Sequence, residues 1–278
     1  MKIAVLSGKG GTGKTLVSVN LASVANHSIY VDCDVEEPNG ALFFKPIDIK
    51  EELVSVKIPV VDFETCTGCR KCVEFCKFNA LAFINQKVKV FETICHSCGG
   101  CALVCPEKAI HETEKVIGKI EQGYSEDVKV ITGILNTGEE TGVPIIKKLL
   151  GRIATENTLT VIDCPPGSSC MVMESIKDAD YCVLVAEPTV FGAHNLEMVY
   201  ELVNLFEKPF GCVLNKCLDE SNPSEVFCDK NNIPIIGRIP FDHHLGSLNS
   251  NGEIVTRLDD HYKSLFNALL NRIKKRCV

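Results

Sequence analysis

The chain has 278 residues, 45% hydrophobic and 23% charged, which suits one large α/β domain with or without a small insert and excludes extended disorder. A formal net charge of −7 argues against a nucleic-acid backbone as the main partner. There are 16 cysteines, no signal-peptide pattern at Met1–Leu6 and no apolar run long enough to span a bilayer, so the expectation is a cytoplasmic chain whose thiols bind metal.

In chain order, Met1–Ser7 reads as a buried strand, followed by a glycine-rich turn and a helix from Lys14 to about Ala25. Ser28–Asp32 reads as a second strand, which closes a βαβ unit and implies a parallel sheet. The stretch from 59 to 112 breaks this rhythm with an internal repeat. Beyond it, apolar runs at Val128–Ile131, Leu159–Ile162, Tyr181–Ala186, Gly211–Leu214 and Ile235–Ile239 alternate with helical patterns at Val143–Ala154, Ala193–Phe206 and Pro223–Lys230. The expected fold is a doubly wound, mostly parallel α/β sheet of about seven or eight strands. Residues 1–58 and 113–278 would form it, and 59–112 would be a small α+β insert. The tail from Lys263 to Arg276 is amphipathic, with Leu265, Phe266, Leu269, Leu270 and Ile273 on one face. A terminal helix packed on the domain is favoured over a basic membrane-surface helix.

Gly8-Lys9-Gly10-Gly11-Thr12-Gly13-Lys14-Thr15 fits the phosphate-binding pattern G-x-x-x-x-G-K-[ST], between a strand and a helix. Its backbone amides would surround phosphate oxygens, Lys14 would reach the β/γ-phosphates and Thr15 would ligate Mg²⁺. With Lys9 included, the motif resembles the deviant Walker A of the MinD/ParA/Mrp ATPases. That resemblance implies ATP and ADP as ligands, slow ATP hydrolysis and an ATP-dependent homodimer in which Lys9 crosses to the partner's nucleotide. On the same resemblance, Asp34 in Asp32-Cys33-Asp34 positions the attacking water or senses the γ-phosphate, although Asp32 also suits an Asx turn. Val161-Ile162-Asp163-Cys164-Pro165-Pro166-Gly167 resembles Walker B with the second switch, placing Asp163 on Mg²⁺ and the Gly167 N–H on the γ-phosphate. Asn215 resembles the residue that contacts adenine, and Glu187-Pro188-Thr189 and Ile239-Pro240-Phe241-Asp242 resemble nucleotide-contacting loops.

In the insert, Cys66, Cys69, Cys72 and Cys76 recur 29 positions later as Cys95, Cys98, Cys101 and Cys105. The C-x₂-C-x₂-C-x₃-C spacing is that of bacterial two-cluster ferredoxins rather than of paired C-x₂-C zinc sites. Since the fourth cysteine of each run serves the other cluster, one [4Fe–4S] group would take Cys66, Cys69, Cys72 and Cys105. The other would take Cys95, Cys98, Cys101 and Cys76. Proline follows Cys105 but lysine follows Cys76, so the two potentials should differ. His96 and His111 read as surface residues, and Cys182 and Cys212 as buried small hydrophobes. Cys170 stands at the offset of a bridging-cluster cysteine in the nitrogenase iron protein, of the same ATPase class, whose second bridging cysteine has no counterpart here.

These features lead to an ATPase that couples dimer switching to electron transfer through two clusters toward a redox or metallocofactor-containing protein. A scaffold or carrier role in iron–sulfur assembly is the alternative. A positioning ATPase would not need eight cluster ligands, and an amidoligase lacks room for a glutaminase domain.

Overall fold

The computed structural model describes residues 1–154, 156–218 and 222–277. The chain starts with β1 (Lys2–Leu6), α1 (Lys14–Val24), β2 (Ile29–Asp32) and α2 (Gly40–Phe44). A long strand, β3 (Ile47–Val61), leads to the cysteine-rich segment, which contains α3 (Lys71–Phe75), β4 (Leu81–Ile84), β5 (Lys87–Val90) and α4 (Gly100–Leu103). An equally long strand, β6 (Ile110–Ser125), returns from it, followed by β7 (Val128–Leu135), α5 (Val143–Arg152), β8 (Thr160–Asp163) and α6 (Cys170–Ile176). The remainder is β9 (Tyr181–Ala186), α7 (Val190–Leu205), β10 (Phe210–Cys217), α8 (Pro223–Lys230) and β11 (Ile235–Pro240). Helices α9 (His243–Ser250), α10 (Val255–Leu258) and α11 (Asp260–Arg276) complete it.

The main sheet has nine strands in the order β11-β10-β9-β1-β8-β2-β7-β6-β3. All neighbours from β11 to β7 run parallel; β6 is antiparallel to β7, and β3 to β6. The count exceeds the expected seven or eight because β3 and β6 form a ribbon that sequence pattern did not reveal. Most of β3 is exposed, so it lacks the alternation of a half-buried strand. Its partner holds it: pairing runs from Ile47↔Tyr124 to Val61↔Ile110, where the cysteine-rich segment begins and ends.

Strand alternation divides the core. Ala4, Leu6, Val31, Ile162, Leu184 and Leu214 face α5, α6, α7 and α8, burying Ile145, Leu149, Val172 and Val199. Ile3, Val5, Val161, Val183 and Val213 point the other way, onto Leu16 and Val17 of α1 and onto α11. Phe266, Leu269, Leu270 and Ile273 of α11 are buried in this second layer, so the amphipathic tail packs on the sheet. Cys182 and Cys212 are buried in the first layer. No helix among the described residues is long and apolar enough to cross a membrane.

Candidate functional sites

The phosphate loop joins β1 to α1. Gly13 occupies the position before α1 with φ 96°, in the left-handed region open to glycine. A Cβ there would also lie 2.0 Å from Asn215 Nδ2. The close approach is functional packing, because Asn215 Nδ2 donates to the Thr12 carbonyl at 2.7 Å. Asn215 is buried and its amide thereby braces the loop; Lys216 adds a second brace by donating to the Gly11 carbonyl at 2.8 Å.

Parallel pairing sets Asp32 and Asp163 side by side at the carboxyl ends of β2 and β8. Lys14, only 6% exposed, reaches across the loop to this acidic pair. Its Nζ lies 2.6 Å from Asp163 Oδ1 and 3.5 Å from Asp34 Oδ2. Burial alone would lower the Lys14 pKa, but the Asp163 and Asp34 carboxylates outweigh it and hold the ammonium above its usual range. Tyr30 OH donates to Asp163 Oδ2 at 2.9 Å, a partner that sequence reading missed. Asp32 accepts from the Gly40 and Asp34 amides, while burial and the Asp163 charge push it well above the ordinary carboxylate range. Asp34 is pushed up to about 6, chiefly by burial and partly offset by Lys14.

Gly10, Gly11, Gly13, Lys14, Thr15 and Asp34 line a cavity of about 1180 Å³ that continues to Asn215, Pro240 and Asp242. The loop amides, the cation and the carboxylates form a donor set suited to a Mg-nucleotide. Three residues have other duties in this state. Gly167 N–H donates to the Ser7 carbonyl at 2.9 Å. Asp242 caps α9 through His244 N–H and accepts from Tyr262 OH. Lys9 Nζ pairs with Glu187 Oε1 at 2.5 Å, and Lys216 Nζ stands 3.6 Å from Glu187 Oε2. Glu187 therefore gathers two cations beside the loop. Its place after β9 was visible in the sequence, but its role as their counterion was not.

The cysteine-rich segment repeats in backbone as well as in sequence. Left-handed residues occur at Gly68, Arg70 and Asn79, and again at Ser97, Gly99 and Lys108. Asp62 N–H donates to the Ala109 carbonyl, and Phe91 N–H to the Ala80 carbonyl, each at 2.8 Å. Adding the repeat to one bond gives the other with its halves exchanged, the signature of a local pseudo-twofold. Cys69 and Cys98 are exposed, Cys72 and Cys101 buried, and the other four half-buried.

Two separate clefts collect these thiols. Cys66, Cys69, Cys72 and Cys105 line one; Cys76, Cys95, Cys98 and Cys101 line the other. Among the described residues, no three His, Cys, Asp or Glu side chains converge at single-ion distances. A cubane spreads its four thiolates over four irons, so wider spacing suits it where it would not suit zinc. Burial pushes the Cys101 thiol up to about 11 and raises that of Cys72, a cost that metal ligation removes. On donor chemistry the two sets fit two [4Fe–4S] groups. His96 and His111 are exposed. Cys170, also exposed, starts α6 after the Pro165-Pro166-Gly167 turn.

Residues 3–255 match the model of the CobQ/CobB/MinD/ParA nucleotide binding domain. An uncharacterised protein of Methanocaldococcus jannaschii is 30% identical over 278 residues, covering 97% of this chain and 96% of its own length. An iron-sulfur cluster carrier protein of Methanococcus maripaludis is 24% identical over 308 residues, covering 99% of this chain and 86% of its own. The cell division ATPase MinD of Pyrococcus furiosus superposes with a TM-score of 0.62 at 19% identity, covering 99% of this chain and 98% of that one. The last likeness is one of fold.

Proposed function

Because this chain belongs to the CobQ/CobB/MinD/ParA nucleotide-binding family, we propose that it binds and hydrolyses Mg-ATP as a homodimer and transmits its nucleotide state to two [4Fe–4S] clusters. Phosphate oxygens would draw Lys14 from its carboxylates. Asp163, with Thr15, would then be free to hold Mg²⁺, and Asp34 to orient the attacking water. Lys9 would leave Glu187 for the partner's nucleotide. Cys66, Cys69, Cys72 and Cys105 would hold one cluster, and Cys95, Cys98, Cys101 and Cys76 the other; when bound, the clusters supply one-electron carriage.

One connection carries this reading. Val35, next to Asp34, accepts at its carbonyl from Leu135 N–H at the end of β7, at 2.8 Å. Asn136 N–H then donates to the Ile117 carbonyl of β6, also at 2.8 Å. Strand β6 continues to Ile110, adjacent to the cysteine-rich segment. A shift of Asp34 on phosphate binding thus has a hydrogen-bonded route to the ribbon.

The destination divides into two readings. Electron transfer to a metalloprotein follows from the ferredoxin spacing. Cluster delivery is favoured by the iron-sulfur cluster carrier named among the relatives, which matches almost the whole chain. Anaerobic assays of holo-protein separate them. Radiolabelled iron passing to an apo-acceptor would establish delivery, and ATP-dependent reduction of a captured partner without iron loss would establish electron transfer. Absence of ATP hydrolysis and of nucleotide-dependent dimers, with wild-type protein and Mg²⁺, would refute the ATPase reading. A bridging cluster at Cys170 would require iron beyond about eight per subunit in the dimer.

A further inference from the structure

The two carboxylate oxygens of Asp163 have different partners. Lys14 Nζ holds Oδ1 at 2.6 Å, and Tyr30 OH donates to Oδ2 at 2.9 Å. The first bond ends on a flexible side chain, the second on a rigid ring held by packing. Parallel pairing sets Tyr30 opposite Val161 and Asp32 opposite Asp163, so the phenol starts one side-chain repeat before the aspartate and spans that repeat with its own length. Tyr30 is fully buried in the layer that contains Val5, Val17 and Val161, and its ring centre lies 4.9 Å from that of Phe44 in α2. Gly40, the first residue of α2, passes directly over the phenol. A Cβ there would collide with the Tyr30 ring and hydroxyl, and the Gly40 N–H donates to Asp32 Oδ2 at 2.8 Å.

A hydrogen bond to a ligating carboxylate fixes its orientation and sets how tightly it holds a cation, and Mg²⁺ is exacting about ligand geometry. Asp163 is 1% exposed, which leaves bulk solvent little access to take the phenol's place. We propose that Tyr30 is a positioning residue for Mg²⁺: its hydroxyl keeps Oδ2 when phosphate draws Lys14 away, and so turns Oδ1 alone toward the metal. The inference rests on the Mg-nucleotide reading of this site. It assigns the phenol to the hold on the metal, as distinct from the hold on the nucleotide.

The test compares full-length wild type with Tyr30→Phe, which keeps the ring and removes only the hydroxyl. Calorimetry gives the affinity for a non-hydrolysable ATP analogue, once in EDTA and once across a Mg²⁺ titration. In the variant, the gain in nucleotide affinity brought by Mg²⁺ should fall by about tenfold or more, and the Mg²⁺ needed for half of that gain should rise correspondingly. Gly40→Ala leaves every polar group in place but presses its methyl on the phenol, and should shift the Mg²⁺ requirement in the same direction. Equal losses of affinity in EDTA and in Mg²⁺ would make Tyr30 merely structural and overturn the inference. An unchanged Mg²⁺ requirement in Tyr30→Phe would overturn it too, and either result leaves the Mg-nucleotide reading intact. Wild-type protein that binds the analogue no better with Mg²⁺ than in EDTA would overturn that reading, and the inference with it.

Discussion

The phosphate loop and the cysteine-rich segment are opposite solutions to holding a ligand. The first is assembled before any nucleotide arrives: Lys14, Asp32 and Asp163 are buried at the carboxyl ends of the sheet strands, Lys14 and Tyr30 are both bonded to Asp163, and Asp32 accepts from the Gly40 and Asp34 amides. The second has a small core of its own, in which Val61, Leu81, Val88 and Ile110 surround Cys72 and Cys101. One site is preorganised by the fold, whereas on the proposed reading the other segment would need its clusters to complete its core.

The sharpest way to break this contrast is to remove the iron. Chelation should abolish amide-exchange protection at Asp62 and Phe91 while leaving β1 and β8 protected; retained protection throughout would show that the segment folds unaided. Next in size is Lys14→Ala. It strands buried carboxylates without their cation and should cost about 3–5 kcal/mol in denaturant unfolding of the nucleotide-free protein, besides eliminating ATP binding. An unchanged midpoint would mean the site is not the rigid element described here.

Asp34→Asn should act in the other direction. The folded value of about 6 lies above the ordinary aspartate value of 3.8, so protonated Asp34 stabilises the fold at low pH and that contribution is lost as pH rises through 6. The variant should therefore match wild type near pH 4 and exceed it by about 1–2 kcal/mol at pH 7.5, allowing for solvent screening of a half-buried carboxylate. It should also lose hydrolysis. Smallest is Lys9→Ala, whose half-exposed pair with Glu187 should contribute under about 1 kcal/mol to stability. Dimer formation with ATP, measured by light scattering, should nevertheless vanish.

The same contrast governs what the sequence disclosed. The loop Gly8–Thr15 and the two cysteine runs are local patterns, in which spacing dictates chemistry. The β3–β6 ribbon was hidden because its strands stabilise each other largely in solvent; exposed Ile47, Ile49 and Leu53 share β3 with charged Lys50, Glu51 and Glu52. Tyr30 on Asp163 and Lys9 on Glu187 join residues far apart in sequence, so pairwise geometry alone reveals them. Asn215 was read as a base contact; that its amide also donates to the Thr12 carbonyl was not visible in the sequence.

Communication along the ribbon is what couples the two sites in the proposed function. Reduction potentials and electron paramagnetic resonance spectra of the loaded protein should be compared in empty, Mg-ADP and Mg-ATP states, with Asp34→Ala as control. A shift on Mg-ATP binding that the control lacks is expected. Spectra and potentials identical in all three states would contradict it, even if nucleotide and iron were both fully bound.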